Sequence, residues 1–236
     1  MKVLSIQSSV AYGHVGNSAA VFPLQRLGVE VWPVHTVHFS NHTGYGAWRG
    51  PLLPADDVRD VITGIEERGV LGQVDAVLSG YQGGEDIGDV ILDAVARVKT
   101  ANPDATYTCD PVMGNAKSGC FVNPAIPELL RERVVPAADV ITPNQFELGF
   151  LTGTEPRTLE ETLASADQAM AMGPSTVLVT SVSSSVRGSV PVRKPSSNWL
   201  GVMMSACGTT RSRSSTGIAG ATKHPDFALP MTGSHE

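Results

Sequence analysis

Five runs of small polar or acidic residues stand at the ends of apolar, strand-like segments: Gln7-Ser8, Ser79-Gly80, Asp110, Thr142-Pro143-Asn144 and Thr180-Ser181. In parallel sheets ligands bind beyond the carboxyl ends of the strands, so five such ends imply one shared polar rim. Asp110 follows Cys109 and opens Pro111-Val112-Met113-Gly114. An aspartate there can orient a hydrated Mg²⁺, which keeps most of its waters and uses few carboxylates; it is equally the residue of a turn or a helix cap. In Thr142-Pro143-Asn144-Gln145-Phe146-Glu147, Asn144 suits a helix N-cap with Glu147 three residues on. Capping alone accounts for both, and a helix start facing the rim would also let Glu147 reach a metal-bound water. The segment Phe39-Ser40-Asn41-His42-Thr43-Gly44-Tyr45-Gly46 reads either as a surface loop or as a binding loop. In the second reading Thr43 and free backbone amides hydrogen-bond a heteroaromatic ring that apolar neighbours enclose.

The elements that must carry these residues alternate. Short apolar runs at residues 3–7, 29–37, 74–78, 106–109, 140–142 and 176–180 read as buried strands. Between them, residues 17–27 suit a helix capped by Asn17 or Ser18, with Pro23 as a kink. Val58, Val61, Ile62 and Ile65 form one helical stripe, and Ile87, Val90, Ile91, Ala94, Val95 and Val98 a longer one. Thr158-Leu159-Glu160-Glu161 matches a capping box, so a helix starts there and runs toward Ala171. Strands separated by amphipathic helices imply parallel βαβ units with helices on both sheet faces.

The 236 residues carry 42% hydrophobic and 17% charged side chains, ordinary for a globular chain with a sizeable core. No run is long and apolar enough for a membrane span, and the first residues enter a strand without a signal-peptide pattern. A formal charge of −6 argues against a broad nucleic-acid surface. Cys109, Cys120 and Cys207 lack metal-ligand spacing and read as reduced thiols of a cytoplasmic protein. No histidine cluster, Walker A loop, GxGxxG or GxSxG motif is present.

Taken in order, Ser5-Ile6-Gln7-Ser8 with Tyr12-Gly13-His14-Val15-Gly16-Asn17-Ser18-Ala19-Ala20, then Asn41 to Gly46, Leu78-Ser79-Gly80-Tyr81, Cys109 to Gly114, and Ile141-Thr142-Pro143-Asn144 with Glu147, resemble the pyridoxal kinases. The likeness is to their bacterial pyridoxamine/pyridoxal kinase branch and covers about residues 2–182. The sister hydroxymethylpyrimidine kinases share the later motifs but differ over residues 12–20. The resemblance implies an α/β fold of the ribokinase-like type, a three-layer α/β/α arrangement with a mostly parallel central sheet, usually as a homodimer. It implies transfer of the γ-phosphoryl of ATP, with Mg²⁺, to the 5′-hydroxyl of pyridoxal or a related B6 vitamer. Ser8 would contact the polar edge of the pyridine ring, Thr43 and Gly44 would line the vitamer pocket, and Tyr81 would wall it. Asp110 and Glu147 would manage Mg²⁺ and the nucleotide phosphates, and Thr142 and Thr180 would contact ATP.

Ribokinase-like enzymes carry a late Gly-x-Gly-Asp turn whose amides hold developing negative charge and whose aspartate takes the proton of the attacking hydroxyl. None of Gly188, Gly201, Gly208, Gly217, Gly220 and Gly233 is followed by aspartate, so no catalytic residue of that kind is identified. Residues 183–236 hold six basic and two acidic side chains, a charge of +4 against −10 for residues 1–182. They are rich in Ser, Thr, Arg, Gly and Pro, a composition poor at burying apolar surface. The expected organisation is thus a kinase domain over 1–182 and a poorly ordered, low-complexity tail over 183–236, leaving the fold incomplete at its C-terminal end. A reading-frame shift near residues 181–183 would produce such a break.

Overall fold

The computed structural model describes residues 1–182; the expectations for the tail, and for a fold incomplete at that end, lie outside the described residues. The elements run β1 (Lys2–Tyr12), α1 (Asn17–Arg26), β2 (Glu30–Asn41), α2 (Ala55–Glu67), β3 (Ala76–Ser79), α3 (Ile87–Ala101), β4 (Thr106–Cys109), and a short antiparallel pair, β5 (Gly114–Asn115) and β6 (Gly119–Cys120). There follow α4 (Ala125–Leu129), a π-helical turn at Leu130–Val134, α5 (Val135–Ala137), β7 (Val140–Ile141), α6 (Gln145–Thr152), α7 (Leu159–Met170) and β8 (Thr176–Val177). Six strands form one sheet in the order β2-β1-β3-β4-β7-β8, and every pair in it is parallel. This is the central sheet of a ribokinase-like α/β fold, with helices against it.

Alternation along the strands explains the layering. Leu4, Ile6 and Val77 face one large cluster with Val58 and Ile62 of α2 and the whole expected stripe of α3. Val3, Ala76 and Leu78 face the other side, where Leu24, Ala20 and Val21 of α1 cover them. Each fully buried aliphatic side chain of this kind contributes roughly 1.5–3 kcal/mol.

Four local expectations need correction. Val61 is 52% exposed, because it lies at the edge of the stripe that Val58, Ile62 and Ile65 define. Asn17 and Ser18 do not cap α1. Gly16 occupies the cap without a side-chain bond, while Asn17 is buried and the Ser18 hydroxyl bonds both backbone groups of Val10. β1 and β2 run several residues past their apolar runs, since after a bulge between Gln7 and Ser9 they keep pairing to Tyr12 and Asn41. β8 is shorter than expected, and Thr180 keeps only a single bridge to Asn144. Thr158 and Glu161 do form the capping box of α7.

Candidate functional site

The carboxyl ends of β1, β2, β3 and β4 surround a cavity of about 230 Å³. Ser8, Thr43, Tyr81 and Asp110, singled out on four separate stretches of sequence, all line it. The remaining walls are Gln7, Val10, Val15, Gly16, Val37, Phe39, His42, Val112 and Phe121. An apolar enclosure with a few convergent polar groups is the usual form of a small-molecule site.

Each polar group is fixed by its own element. Ser8 sits at the β1 bulge, close under Gly16: a Cβ on Gly16 would lie 2.3 Å from the Ser8 carbonyl and hydroxyl oxygens. With φ of 52°, Gly16 is a position where only glycine fits the backbone and the contact together. Thr43 opens a single 3₁₀ turn, Thr43–Tyr45, capped by His42, whose Nδ1 accepts the Gly44 N–H at 3.1 Å. Gly44 is exposed and stands beside the cavity rather than among its lining residues. Tyr81 hangs on the β3–α3 loop, where its carbonyl accepts the Thr36 hydroxyl at 2.8 Å; burial raises its phenol pKa.

At the other end of the cavity the chemistry is anionic. The Asp110 amide donates to the Ser79 carbonyl at 2.9 Å, which sets its side chain at the tip of β4. Burial pushes the Asp110 carboxyl up to about 7, the nearby charge of Glu147 adds to this, and a hydrogen bond from Thr142 opposes it. Glu147 is buried at 3% exposure. Its Oε1 accepts from the Met113 N–H at 3.0 Å and the Gly114 N–H at 3.4 Å, and its Oε2 from the Asn144 N–H at 2.9 Å. Burial raises its pKa while these three amides pull it down.

Glu147 and Asn144 form a full capping box on α6. The Asn144 side chain also donates to the Gly114 carbonyl at 2.8 Å. Together they tie α6 to the loop that follows Asp110. Glu147 is therefore a buried brace behind the cavity, and does not itself line it. Thr142 stands at the tip of β7, and the Thr180 amide donates to the Pro143 carbonyl at 2.9 Å. Both lie along the Asp110 end of the sheet and not in the cavity. Cys109, just before Asp110, is pushed up to about 12 by burial, so its thiol is not a nucleophile.

Among the described residues no three acidic, histidine or cysteine side chains cluster tightly enough to cage a bare metal. The pair of desolvated carboxylates, one opening on the cavity, suits instead a cation held largely by water and by a bound phosphate.

Of the apolar lining residues, Phe39 opens the Phe39–Gly46 loop and Val15 and Val112 lie within the resembling stretches, whereas Val10, Val37 and Phe121 carry no distinguishing signal in the sequence.

The phosphomethylpyrimidine kinase family model matches residues 62–200. The chain is 80% identical over 182 residues to a pyridoxal kinase of Leifsonia xyli subsp. xyli, a match covering 77% of this chain and 64% of that one. It is 69% identical over 182 residues to a pyridoxal kinase of Corynebacterium diphtheriae, with the same two coverages. It thus spans under two thirds of the length of these relatives. Among solved structures, pyridoxal kinase from Leishmania donovani in complex with ADP and pyridoxamine matches with a TM-score of 0.73 at 35% identity, over 77% of this chain and 63% of that one. Pyridoxal kinase from Entamoeba histolytica matches with a TM-score of 0.73 at 28% identity, over 77% and 64%. The chain belongs to the phosphomethylpyrimidine kinase family, and the relatives it resembles within that family are pyridoxal kinases.

Proposed function

We propose that the cavity takes pyridoxal or a related B6 vitamer, and that the chain serves ATP-dependent phosphorylation of the vitamer's 5′-hydroxyl in B6 salvage. The observation that carries this reading is the meeting of Ser8, Thr43, Tyr81 and Asp110 on one wall-to-wall cavity, together with the likeness to pyridoxal kinases on both sequence and structure. In this arrangement the ring lies against Ser8, Thr43 and Tyr81, with Gly44 at the mouth. The hydroxymethyl arm points toward Asp110, at the tip of β4.

The nucleotide lies along the tips of β4, β7 and β8, where Asp110, Thr142, Glu147 and Thr180 stand. Asp110 would hold a hydrated Mg²⁺, with Glu147 behind it, and the cation would supply positive charge to the phosphates. The protein's own residues position the vitamer, exclude water with Val10, Val37, Phe39 and Phe121, and keep Asp110 and Glu147 in place. Homodimer formation and a cytoplasmic setting belong to the same proposal. The free thiols Cys109 and Cys120 suit a reducing compartment, and no helix among the described residues is long and apolar enough to cross a membrane.

A second reading rests on the sequence. No Gly-x-Gly-Asp occurs in it, and loss of a general base alone costs about 10²–10⁴ in rate. In this reading the chain binds the vitamer without transferring phosphate. A coupled ADP-release assay with pyridoxal and Mg-ATP on the full chain, with Asp110→Ala as control, separates the two. Turnover that vanishes in the variant supports the kinase. Vitamer binding seen by fluorescence without ADP release supports the binder, and neither signal rejects the site. Faster turnover of hydroxymethylpyrimidine than of pyridoxal would reassign the substrate.

A further inference from the structure

Beneath the vitamer end of the cavity lies a buried chain of hydrogen bonds whose direction is dictated by the backbone. At the bulge between Gln7 and Ser9 the β1–β2 register shifts. The Asn17 side chain fills the gap from α1. Its Nδ2 faces the carbonyls of Ser5 at 3.2 Å, Gln7 at 3.4 Å and Val34 at 3.0 Å, and His35 Nδ1 at 3.2 Å. Carbonyl oxygens only accept, so this end of the amide must be the NH₂ group and Oδ1 must point away. Oδ1 accepts the Ser5 hydroxyl at 2.7 Å. That hydroxyl has spent its one proton and can only accept from the next group, which is Gln7 Nε2 at 2.9 Å. The Gln7 amide is thereby prevented from flipping. Its Oε1 is left without a donor among the described residues, and Gln7 lines the cavity. Gly80 permits this placement, since a Cβ there would lie 2.6 Å from Gln7 Oε1.

We infer that Gln7 is a ligand-binding residue presenting a fixed hydrogen-bond acceptor to the ring, and that Ser5 and Asn17 are positioning residues that set its polarity. This deepens the vitamer reading and rests on it. With the hydroxymethyl arm directed at Asp110, the donor that meets Gln7 belongs to the ring edge remote from the arm. That donor is either the 3-hydroxyl or the protonated ring nitrogen. A ring bearing only acceptors on that edge is disfavoured, because it would set two acceptors face to face.

The test is a set of fluorescence titrations of the full chain and of Gln7→Leu, a change of similar volume. The ligands are pyridoxine, its 3-O-methyl ether and its N-oxide, and circular dichroism confirms that the variant is folded. Gln7→Leu should weaken pyridoxine binding about 3- to 10-fold. One of the two modified ligands should lose a similar factor against the wild type and little against the variant. The ether losing affinity assigns the 3-hydroxyl, and the N-oxide losing affinity assigns the ring nitrogen. Ser5→Ala, which frees the amide to flip, should give the same ligand pattern at smaller amplitude. Equal losses against wild type and Gln7→Leu for both modified ligands would overturn the inference while leaving the vitamer site standing. Failure of the wild type to bind pyridoxine would overturn both.

Discussion

The two ends of the cleft solve opposite electrostatic problems. At the β1–β2 end a chain of amide and hydroxyl groups runs from Asn17 through Ser5 to Gln7, with Ser8 held under Gly16. At the β4–β7 end two carboxylates, Asp110 and Glu147, share a desolvated space, and the first is driven toward neutrality by burial. The neutral end is ordered before a ligand arrives, with Gln7 Oε1 left to accept from a donor on the ring. The acidic end holds unfavourable charge until a cation offsets it.

The largest expected effect strikes the neutral end. Gly16→Ala places a methyl 2.3 Å from two Ser8 oxygens at a φ of 52°. It should cost about 3–4 kcal/mol of stability and at least about tenfold in vitamer affinity, read by thermal unfolding and by titration. Unchanged affinity would show that Ser8 is not held by this contact. Next comes the brace of the acidic end. Glu147→Ala strands the amides of Met113, Gly114 and Asn144 and should cost about 2–3 kcal/mol. Vitamer affinity should fall less than in Gly16→Ala, since Glu147 does not line the cavity.

The third effect is read in the pH dependence. The folded Asp110 carboxyl titrates near 7 against an ordinary 3.8, so the folded chain keeps a proton that the unfolded chain releases. The associated stability is present in full below about pH 4 and is lost as pH rises through 7. Asp110→Asn should therefore match the wild type at pH 4 and be the more stable of the two above pH 7. Added Mg²⁺ with nucleotide should narrow that gap. A constant difference across pH would remove the contrast between the two ends.

Much of this was legible in residue order, and the limits have physical causes. Strand tips are readable because a buried parallel strand is an unbroken apolar run that stops at polar residues, as at Cys109-Asp110. The capping boxes at Asn144 and Thr158 are local patterns and therefore visible. Asn17 looked like a cap because local rules see only the helix it begins. Its actual partners, Ser5, Gln7 and Val34, come from two strands, and the demand for it arises from a bulge that no period reveals. Val61 fits a helical stripe by spacing, yet the width of the neighbour that covers α2 decides its exposure. The cavity's apolar walls come from Val10, Val37, Phe39 and Phe121 on separated segments, and only the fold brings them together.

The most direct test is a structure of the full chain with pyridoxal bound. The ring should lie between Ser8, Thr43 and Tyr81, with Gln7 at its edge and the hydroxymethyl arm toward Asp110. A vitamer seated elsewhere on the molecule, with this cavity filled only by solvent, would contradict the assignment.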